Sequence, residues 1–252
     1  VVFTCGECEA SVDDPFLTEP NVLLEEFTGH TCNNCPDAAK EAKAIKQANP
    51  ERVKIVGIHA GPLATPDPPE YPMDFTTADG NELWNWDKPL GVPVGRVNRL
   101  DFGDLLFNKP SSRWDSETDN ILQGGTADVG MIIETTVDTA TRELCLQVKV
   151  KAMQDLSGRI GSLRWAAYLT EGSIIAPQKM PDNSTNKDYV HEYVFRAALN
   201  GAFGRPIQDF TGAQDEVTCE TISFPISEEW VIDNCEVVVF VHDYFGDGGN
   251  GE

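Results

Sequence analysis

The feature that most constrains the fold is a change in hydrophobic pattern near the middle of the chain. From Asn21 to about Arg99 short apolar runs alternate with helical stretches, whereas from Gly130 onward apolar residues recur at every second position in short runs. Alternating strands and helices predict a parallel sheet, and successive short strands without helices predict an antiparallel β-sandwich. The sequence therefore predicts an α/β part followed by an all-β part.

The α/β part begins with a strand–helix–strand unit. Residues 21–27 and 53–59 are apolar runs typical of buried strands, and the helix-forming segment between them starts at Pro36 and stops at Asn49-Pro50. This order predicts two parallel strands joined by a right-handed crossover. Five prolines between positions 62 and 72 then predict an irregular surface loop, before a short helix near 81–86 and a strand near 91–98.

The apolar signal thins between Asn108 and Gly125, where we place the join between the two parts. This division gives an N-terminal segment at 1–20, an α/β domain at 21–115 and a β-sandwich domain at 125–252. The runs that predict the strands of the second domain are 131–137, 143–150, 162–170, 189–195, 218–224 and 235–241.

Composition narrows the class of protein. The chain has 252 residues, of which 40% are hydrophobic and 24% charged, as in globular proteins with a packed core. Its net charge of −22 repels nucleic-acid phosphates and anionic lipid headgroups, which argues against nucleic-acid binding. No run approaches the ~20 apolar residues that a membrane-spanning helix needs.

Seven cysteines beside only four histidines favour an oxidising compartment. The odd number leaves one sulfur outside intramolecular pairs. Cys5 either carries a lipid anchor at the end of a secretory segment or pairs with Cys8 or a more distant cysteine. Cys145 and Cys235 lie on predicted strands where a bridge can cross the sandwich core, which leaves Cys219 open to either neighbour.

The motif Cys32-Asn33-Asn34-Cys35 follows the first predicted strand and opens the helix. Unpaired amide groups and the helix dipole at a helix N-terminus favour a thiolate, so the motif predicts either a redox pair or a permanent disulfide. We expect Cys35 to be the more buried of the two, because the second cysteine turns into the helix. A further alternative is a zinc site that adds His30 and His59, since parallel strands end at the same sheet edge.

This strand, motif and helix resemble the thioredoxin fold, and the resemblance implies roles for two further residues. Glu26 occupies the place of a buried acid that shuttles a proton for the second cysteine. Pro93 resembles the family's cis-proline that faces the disulfide. In this interpretation Cys32 attacks a substrate disulfide and Cys35 resolves the mixed disulfide. Asn33-Asn34 replaces the usual Gly-Pro pair, so the motif does not indicate a redox potential.

Longer matches indicate a narrower family. The run from Val22 to Pro36 resembles the signature of the thioredoxin-like outer-membrane proteins of Bacteroidota, the 28-kDa outer-membrane lipoprotein family. The segment 188–196 resembles its Tyr-Val-His motif, and 230–241 resembles its closing strand. The resemblance implies a lipoprotein of the outer membrane or cell surface, with a thioredoxin-like domain followed by a β-rich domain.

His191 and the C-terminal segment each allow more than one functional interpretation. His191 alternates with Tyr189, Tyr193 and Phe195 on one face of a predicted strand, which favours a packing role for the histidine. The C-terminal segment combines oxygen ligands with glycines, which is typical of either a calcium loop or a glycine-rich hairpin turn. Its candidate calcium ligands are Asp243, Asp247 and Asn250. No other cofactor is predicted.

Two functions remain open at this point. The first is a non-catalytic envelope protein that binds protein partners in an outer-membrane or extracellular assembly, attached to the membrane only through a lipid anchor at Cys5. The second is an extracytoplasmic thiol–disulfide oxidoreductase that uses Cys32 and Cys35, with Glu26 and Pro93 in support.

Overall fold

A computed structural model describes residues 5–100 and 109–244 of the chain. Within these ranges the fold is mixed α/β and mostly β. Its helices are α1 (Cys35–Ala48), α2 (Ala78–Asp87) and α3 (Trp114–Leu122). Its strands are β1 (Val22–Thr28), β2 (Val53–His59), β3 (Val94–Val97), β4 (Val129–Asp138), β5 (Glu143–Ala152), β6 (Leu163–Glu171), β7 (Ile174–Lys179), β8 (Thr185–His191), β9 (Val194–Ala198), β10 (Arg205–Pro206), β11 (Val217–Pro225) and β12 (Cys235–Asp243). None of these helices has the length and apolar character needed to cross a membrane.

The predicted strand–helix–strand unit is confirmed. β1 and β2 pair in parallel, with Val22 opposite Val53, and α1 connects them. Helix α1 buries Ala38, Ala42 and Ile45, which recur at helical spacing along one face. On the other side of β1, β3 pairs antiparallel. These contacts place the start of α1 at the edge of the sheet where β1 ends.

The predicted join between the two parts contains a helix. α3 occupies half of it, and Trp114 is fully buried in a cluster with Leu24, Ile45 and Val53. The indole N–H of Trp114 donates to the carbonyl oxygen of Lys109 at 3.0 Å. This helix therefore belongs to the packing of the N-terminal part, and the thin apolar signal reflects its single large buried residue.

One sheet links the two predicted parts. Its strand order is β10-β6-β9-β2-β1-β3, with β12 pairing the free side of β6, and β2 meets β9 in parallel at Gly57 and Val194. A shared core cluster includes Phe27 and Ile58 from the first part and Tyr168 from the second.

A second layer covers the outer part of this sheet. Strands β11, β5 and β4 form an antiparallel three-stranded sheet. Residues Leu146, Val148 and Val150 of β5 pack against Trp165 of β6 and Val239 of β12 in a second core cluster. The alternation of apolar residues along β5 is the pattern expected for a strand with one buried face.

The run 189–195, predicted as one strand, is two strands. β8 ends at His191 and pairs with β7, whereas β9 begins at Val194 and pairs with β6. Tyr193 between them has a φ of 57°, which breaks the extended conformation. Consequently Tyr193 and Phe195 do not continue the face of His191. The hairpin of β7 and β8 was missed because Pro177 interrupts the apolar pattern of β7.

Candidate functional site

Cys32 and Cys35 lie at the start of α1, as predicted. They are joined as a disulfide, and the backbone N–H of Cys35 points at the Cys32 Sγ at 3.2 Å. Each cysteine is 2% exposed. The expectation that Cys35 is the more buried is therefore wrong, because Cys32 is covered by structure that lies outside the motif.

Part of this cover is the segment before β3. The Val92–Pro93 peptide bond is cis, as expected, and the carbonyl oxygen of Val92 lies 3.7 Å from the Cys32 Sγ. The predicted contact between this proline segment and the disulfide is thus present.

The rest of the cover comes from the β7–β8 hairpin, 140 and more residues further along the chain. The side-chain amide of Gln178, itself 3% exposed, donates to the carbonyl oxygen of Cys32 at 2.9 Å. The backbone N–H of Lys179 donates to the carbonyl oxygen of His30 at 2.9 Å. The hairpin is therefore hydrogen-bonded across the loop that carries the first cysteine.

Glu26 is buried behind the disulfide. Its Oε1 has no hydrogen-bond partner among the described residues, and burial raises the pKa of its carboxyl group to about 8. Glu26, Cys35 and Gln178 line a cavity of about 30 Å³. That space is large enough for a water molecule, which would bring a polar partner to the carboxyl group.

A group of aromatic rings closes the far side of this cavity. His59 and His191 face each other with ring centroids 5.7 Å apart, and Phe75 lies 4.8 Å and 4.9 Å from them. Burial lowers the pKa of His191 to about 4 and holds the pKa of His59 well below its usual value. Both rings are therefore neutral near pH 7 and pack as aromatic groups. Phe75 was missed by sequence reasoning because it follows the proline-rich loop.

The structure bears on the two predicted metal sites, the zinc site at Cys32 and Cys35 and the calcium site near Asp243. No group of three or more His, Cys, Asp or Glu side chains is arranged to hold a metal ion within residues 5–100 and 109–244. At the zinc alternative, the sulfurs of Cys32 and Cys35 are bonded to each other. Of the calcium candidates, Asp243 accepts a hydrogen bond from Ser162 at 2.7 Å and forms an ion pair with Arg159. Asp247 and Asn250 lie outside the described residues.

The other cysteines pair differently from the suggested arrangement. Cys5 is bonded to Cys145 on β5, and Cys8 to Cys219 on β11. The proposed Cys145–Cys235 bridge is therefore wrong, and Cys235 is a free thiol. Cys5 uses its sulfur in a disulfide here, so the structure favours pairing over the lipid anchor at that residue. The two bridges fasten the N-terminal segment to the outer face of the three-stranded sheet.

One protein family and two solved structures resemble this chain. Residues 83–249 match the model of the family described as outer membrane protein Omp28. A solved structure, HBP35 of Porphyromonas gingivalis, superposes with a TM-score of 0.68 at 20% identity, over 90% of this chain and 70% of that one. Another, a protein from Agrobacterium tumefaciens, gives a TM-score of 0.46 at 11% identity, over 83% and 80% of the two chains. A search of curated proteins finds no match.

The family match covers about two thirds of the sequence and includes strands of the shared sheet and of the three-stranded sheet. The chain therefore belongs to the Omp28 outer membrane protein family, and it is a protein of the outer membrane or cell surface.

Proposed function

We propose that this protein is a non-catalytic binding or assembly component of the cell envelope. In this proposal the N-terminal half, through α3, is a thioredoxin-like unit, and the strands from β4 onward form a β-sandwich. The Cys32–Cys35 bridge then fixes the start of α1 instead of exchanging with substrates.

The observation that carries this proposal is the cover over the disulfide. Thiol–disulfide exchange requires a thiolate to reach a sulfur atom. Both sulfurs belong to cysteines that are 2% exposed, and Gln178 and Lys179 hold the β7–β8 hairpin against the loop before α1. A protein substrate has no access unless this hairpin moves.

Glu26 favours a second candidate function, an extracytoplasmic thiol–disulfide oxidoreductase. A buried carboxyl group with a pKa of about 8, on the same small cavity as Cys35, is suited to exchange a proton near neutral pH. In that reaction the Cys32 thiolate attacks a substrate disulfide and releases a substrate thiolate. The ionised fraction of Glu26, which grows as pH approaches 8, then takes the proton of Cys35, whose thiolate attacks Cys32, releases the second substrate sulfur and re-forms the Cys32–Cys35 bond.

A reduction-potential titration separates these functions. The full-length chain would be equilibrated in dithiothreitol buffers and alkylated, and mass spectrometry would follow the peptide that carries Cys32 and Cys35 separately from the other two bridges. A potential below about −300 mV is expected for a structural bridge. A value between about −270 and −120 mV, the range of working oxidoreductases, would contradict the proposal.

A kinetic measurement tests the cover directly. Gln178→Ala removes the hydrogen bond to Cys32, so we expect the rate of reduction of this bridge by dithiothreitol to rise by about tenfold, the equivalent of one lost hydrogen bond. Gln154→Ala is the control, because Gln154 is exposed and its side-chain amide donates to Asp128 far from the disulfide loop. An unchanged rate in Gln178→Ala would show that the hairpin does not limit access.

A further inference from the structure

Two strand edges are open on one side of the two-layered part of the molecule. Among the described strands, β12 pairs only with β6, and β4 pairs only with β5. An open edge presents a row of backbone N–H and C=O groups that another strand can bind.

The hydrogen-bond pattern identifies the outward groups of β12. The N–H of Gly172 donates to the carbonyl oxygen of Asn234, and the N–H of Tyr244 donates to that of Ser162, both in the register of β12 with β6. A strand bonds to one antiparallel neighbour through every second residue, so the even-numbered residues of β12 face β6. The backbone groups of the odd-numbered residues face the open edge, at Val237, Val239 and Val241.

The same reasoning applies to β4. The N–H of Met153 donates to the carbonyl oxygen of Asp128, which assigns the even-numbered residues to β5. The backbone groups of Val129, Met131 and Ile133 therefore face outward. Next to them, the N–H of Ala127 donates to the carbonyl oxygen of Thr18 at 2.8 Å. The segment before β1 thus already bonds to the residues that precede this edge.

The two edges border one cleft of about 1010 Å³. It follows β12 from Val237 to Asp243, a length of roughly 20 Å at about 3.4 Å per residue. Its walls are mostly apolar, with Leu17, Leu23 and Leu163 beside the valines of β12. Within the described parts of the chain, no hydrogen bond engages the backbone of Val237, Val239 or Val241 on this side.

We infer that this cleft binds an extended segment of a partner protein as an added β-strand. The inference rests on the proposed function, for which it names the binding site. Only another extended backbone matches the repeating donors and acceptors of these edges, and apolar side chains at alternate positions would fill the cleft between them. The cleft lining balances basic against acidic side chains, with Lys54, Arg99 and Arg159 against Glu19, Asp128 and Asp243. Basic residues therefore belong at the ends of the segment, outside the cleft, where the net charge of −22 of the whole chain attracts them.

The test uses amide hydrogen exchange of the full-length protein, measured by NMR. In the free protein, the N–H groups of Val237, Val239 and Val241 should exchange much faster than those of Val238 and Phe240. The probe is a blocked heptapeptide, lysine-valine-threonine-valine-threonine-valine-lysine, which should slow the three outward amides by at least ~10-fold at saturation. The same peptide with alternate N-methylated amides should fail to do so.

A pair of variants tests the edge itself. Val241→Pro removes one outward N–H without touching the bonds to β6, so it should weaken peptide binding by about tenfold, as expected for one hydrogen bond. Val241→Thr keeps the N–H and a similar shape, and should bind within about twofold of the unchanged protein. If Val241→Pro does not fold, the N-methylated peptide provides the same comparison on the unchanged protein.

Four results would overturn the inference. They are slow exchange at the three valines in the free protein, no slowing by the peptide, equal binding of the N-methylated peptide, and slowing that rises with protein concentration alone, which would identify a second copy as the occupant. The reduction-potential titration reports on Cys32 and Cys35 and the peptide titration on β12. Failure of one proposal is therefore distinguishable from failure of the other.

Discussion

Glu25 and Glu26 are consecutive residues of β1, and both are buried, yet their carboxyl groups have different surroundings. Successive side chains of a strand point to opposite faces. Glu25 faces Arg99, whose Nε lies 2.7 Å from its Oε2, and which also donates to the Tyr168 hydroxyl at 2.9 Å. Glu26 faces the small cavity beside Cys35, where its Oε1 has no partner among the described residues.

The pKa values follow this difference. Burial is the largest influence and raises the pKa of both carboxyl groups, but at Glu25 the charge and hydrogen bonds of Arg99, together with the charges of Arg96 and His242, outweigh burial, so that its pKa is lowered overall. At Glu26 burial acts alone, and the pKa rises to about 8. Glu25 is therefore a charged partner in a structural ion pair, whereas Glu26 is a neutral acid at pH 7. Equal burial does not give equal roles, because the partner decides which form is stable.

The largest expected effect comes from breaking the pair on the Glu25 side. Arg99→Met should lower the free energy of unfolding by about 3–5 kcal/mol, because Glu25 would remain buried without a counter-charge. Urea denaturation at pH 7 measures this. The double variant Glu25→Leu with Arg99→Met should recover part of the loss, and a single-variant cost under about 1 kcal/mol would contradict the ion-pair interpretation.

The contribution of Glu26 to the free energy of unfolding should change with pH in the opposite direction to that of a paired carboxylate. Its folded pKa of about 8 lies above the ordinary value of 4.5, so the folded state holds a proton that the unfolded state releases. The free energy of unfolding should therefore fall as pH rises from about 4.5 to about 8, by about 4 kcal/mol from this group. Glu26→Gln should remove that slope and be more stable than the unchanged protein at pH 9.

Glu25→Gln is the control for this experiment. Its parent carboxyl group has a lowered pKa, so the substitution should destabilise the protein at neutral pH, where Glu26→Gln does not. If the free energy of unfolding changed with pH in the same way in both variants, the two carboxyl groups would not differ in charge state as described.

His191, which lines the same cavity as Glu26, should lower the stability of the protein at acid pH. Burial lowers its pKa from 6.5 to about 4, so the unfolded state takes up a proton first as pH falls. Stability from this group is complete well above pH 6.5 and should decline by about 3 kcal/mol toward pH 4. His191→Gln should flatten urea-unfolding profiles between pH 6.5 and 4. A slope unchanged by this substitution would assign the acid sensitivity to other buried groups such as His59.

The smallest effect is expected where an ion pair is exposed. Lys151 and Asp215 form a pair at 3.2 Å, but the Asp215 side chain is 66% exposed. Asp215→Asn should change the free energy of unfolding by less than about 1 kcal/mol, because solvent screens such pairs. If Asp215→Asn lowered the free energy of unfolding as much as Arg99→Met does, burial would not explain the difference in strength between the Lys151–Asp215 and Glu25–Arg99 ion pairs.

Much of the N-terminal part was predictable because its signals are local. Apolar runs, Pro36 and the Asn49-Pro50 stop placed β1, α1 and β2 to within one or two residues. The position of Cys32 and Cys35 at the start of α1 follows from the same local pattern. The roles of Glu26 and Pro93 came from the resemblance, and the buried carboxyl group and the cis bond agree with their expected positions.

The cover over the disulfide had no comparable local signal. Gln178 is one polar residue on a strand interrupted by proline, and its partner, the carbonyl oxygen of Cys32, is far away in sequence. The equal burial of the two cysteines accompanies this contact and the contact of the Val92 carbonyl oxygen with the Cys32 sulfur. The redox accessibility of the motif therefore depends on a hairpin that the motif does not encode.

The sequence by itself predicted β1, α1 and β2, an oxidising environment and the family, because hydrophobic period, helix ends and residue chemistry act over a few neighbouring positions. Only the tertiary structure decided the pairing of Cys5 with Cys145, the meeting of β2 with β9, and the open edges of β4 and β12. Each of these is a contact, or a missing contact, between distant segments. The packing of the whole core selects them, since many pairings satisfy the same local pattern and only one buries both core clusters together.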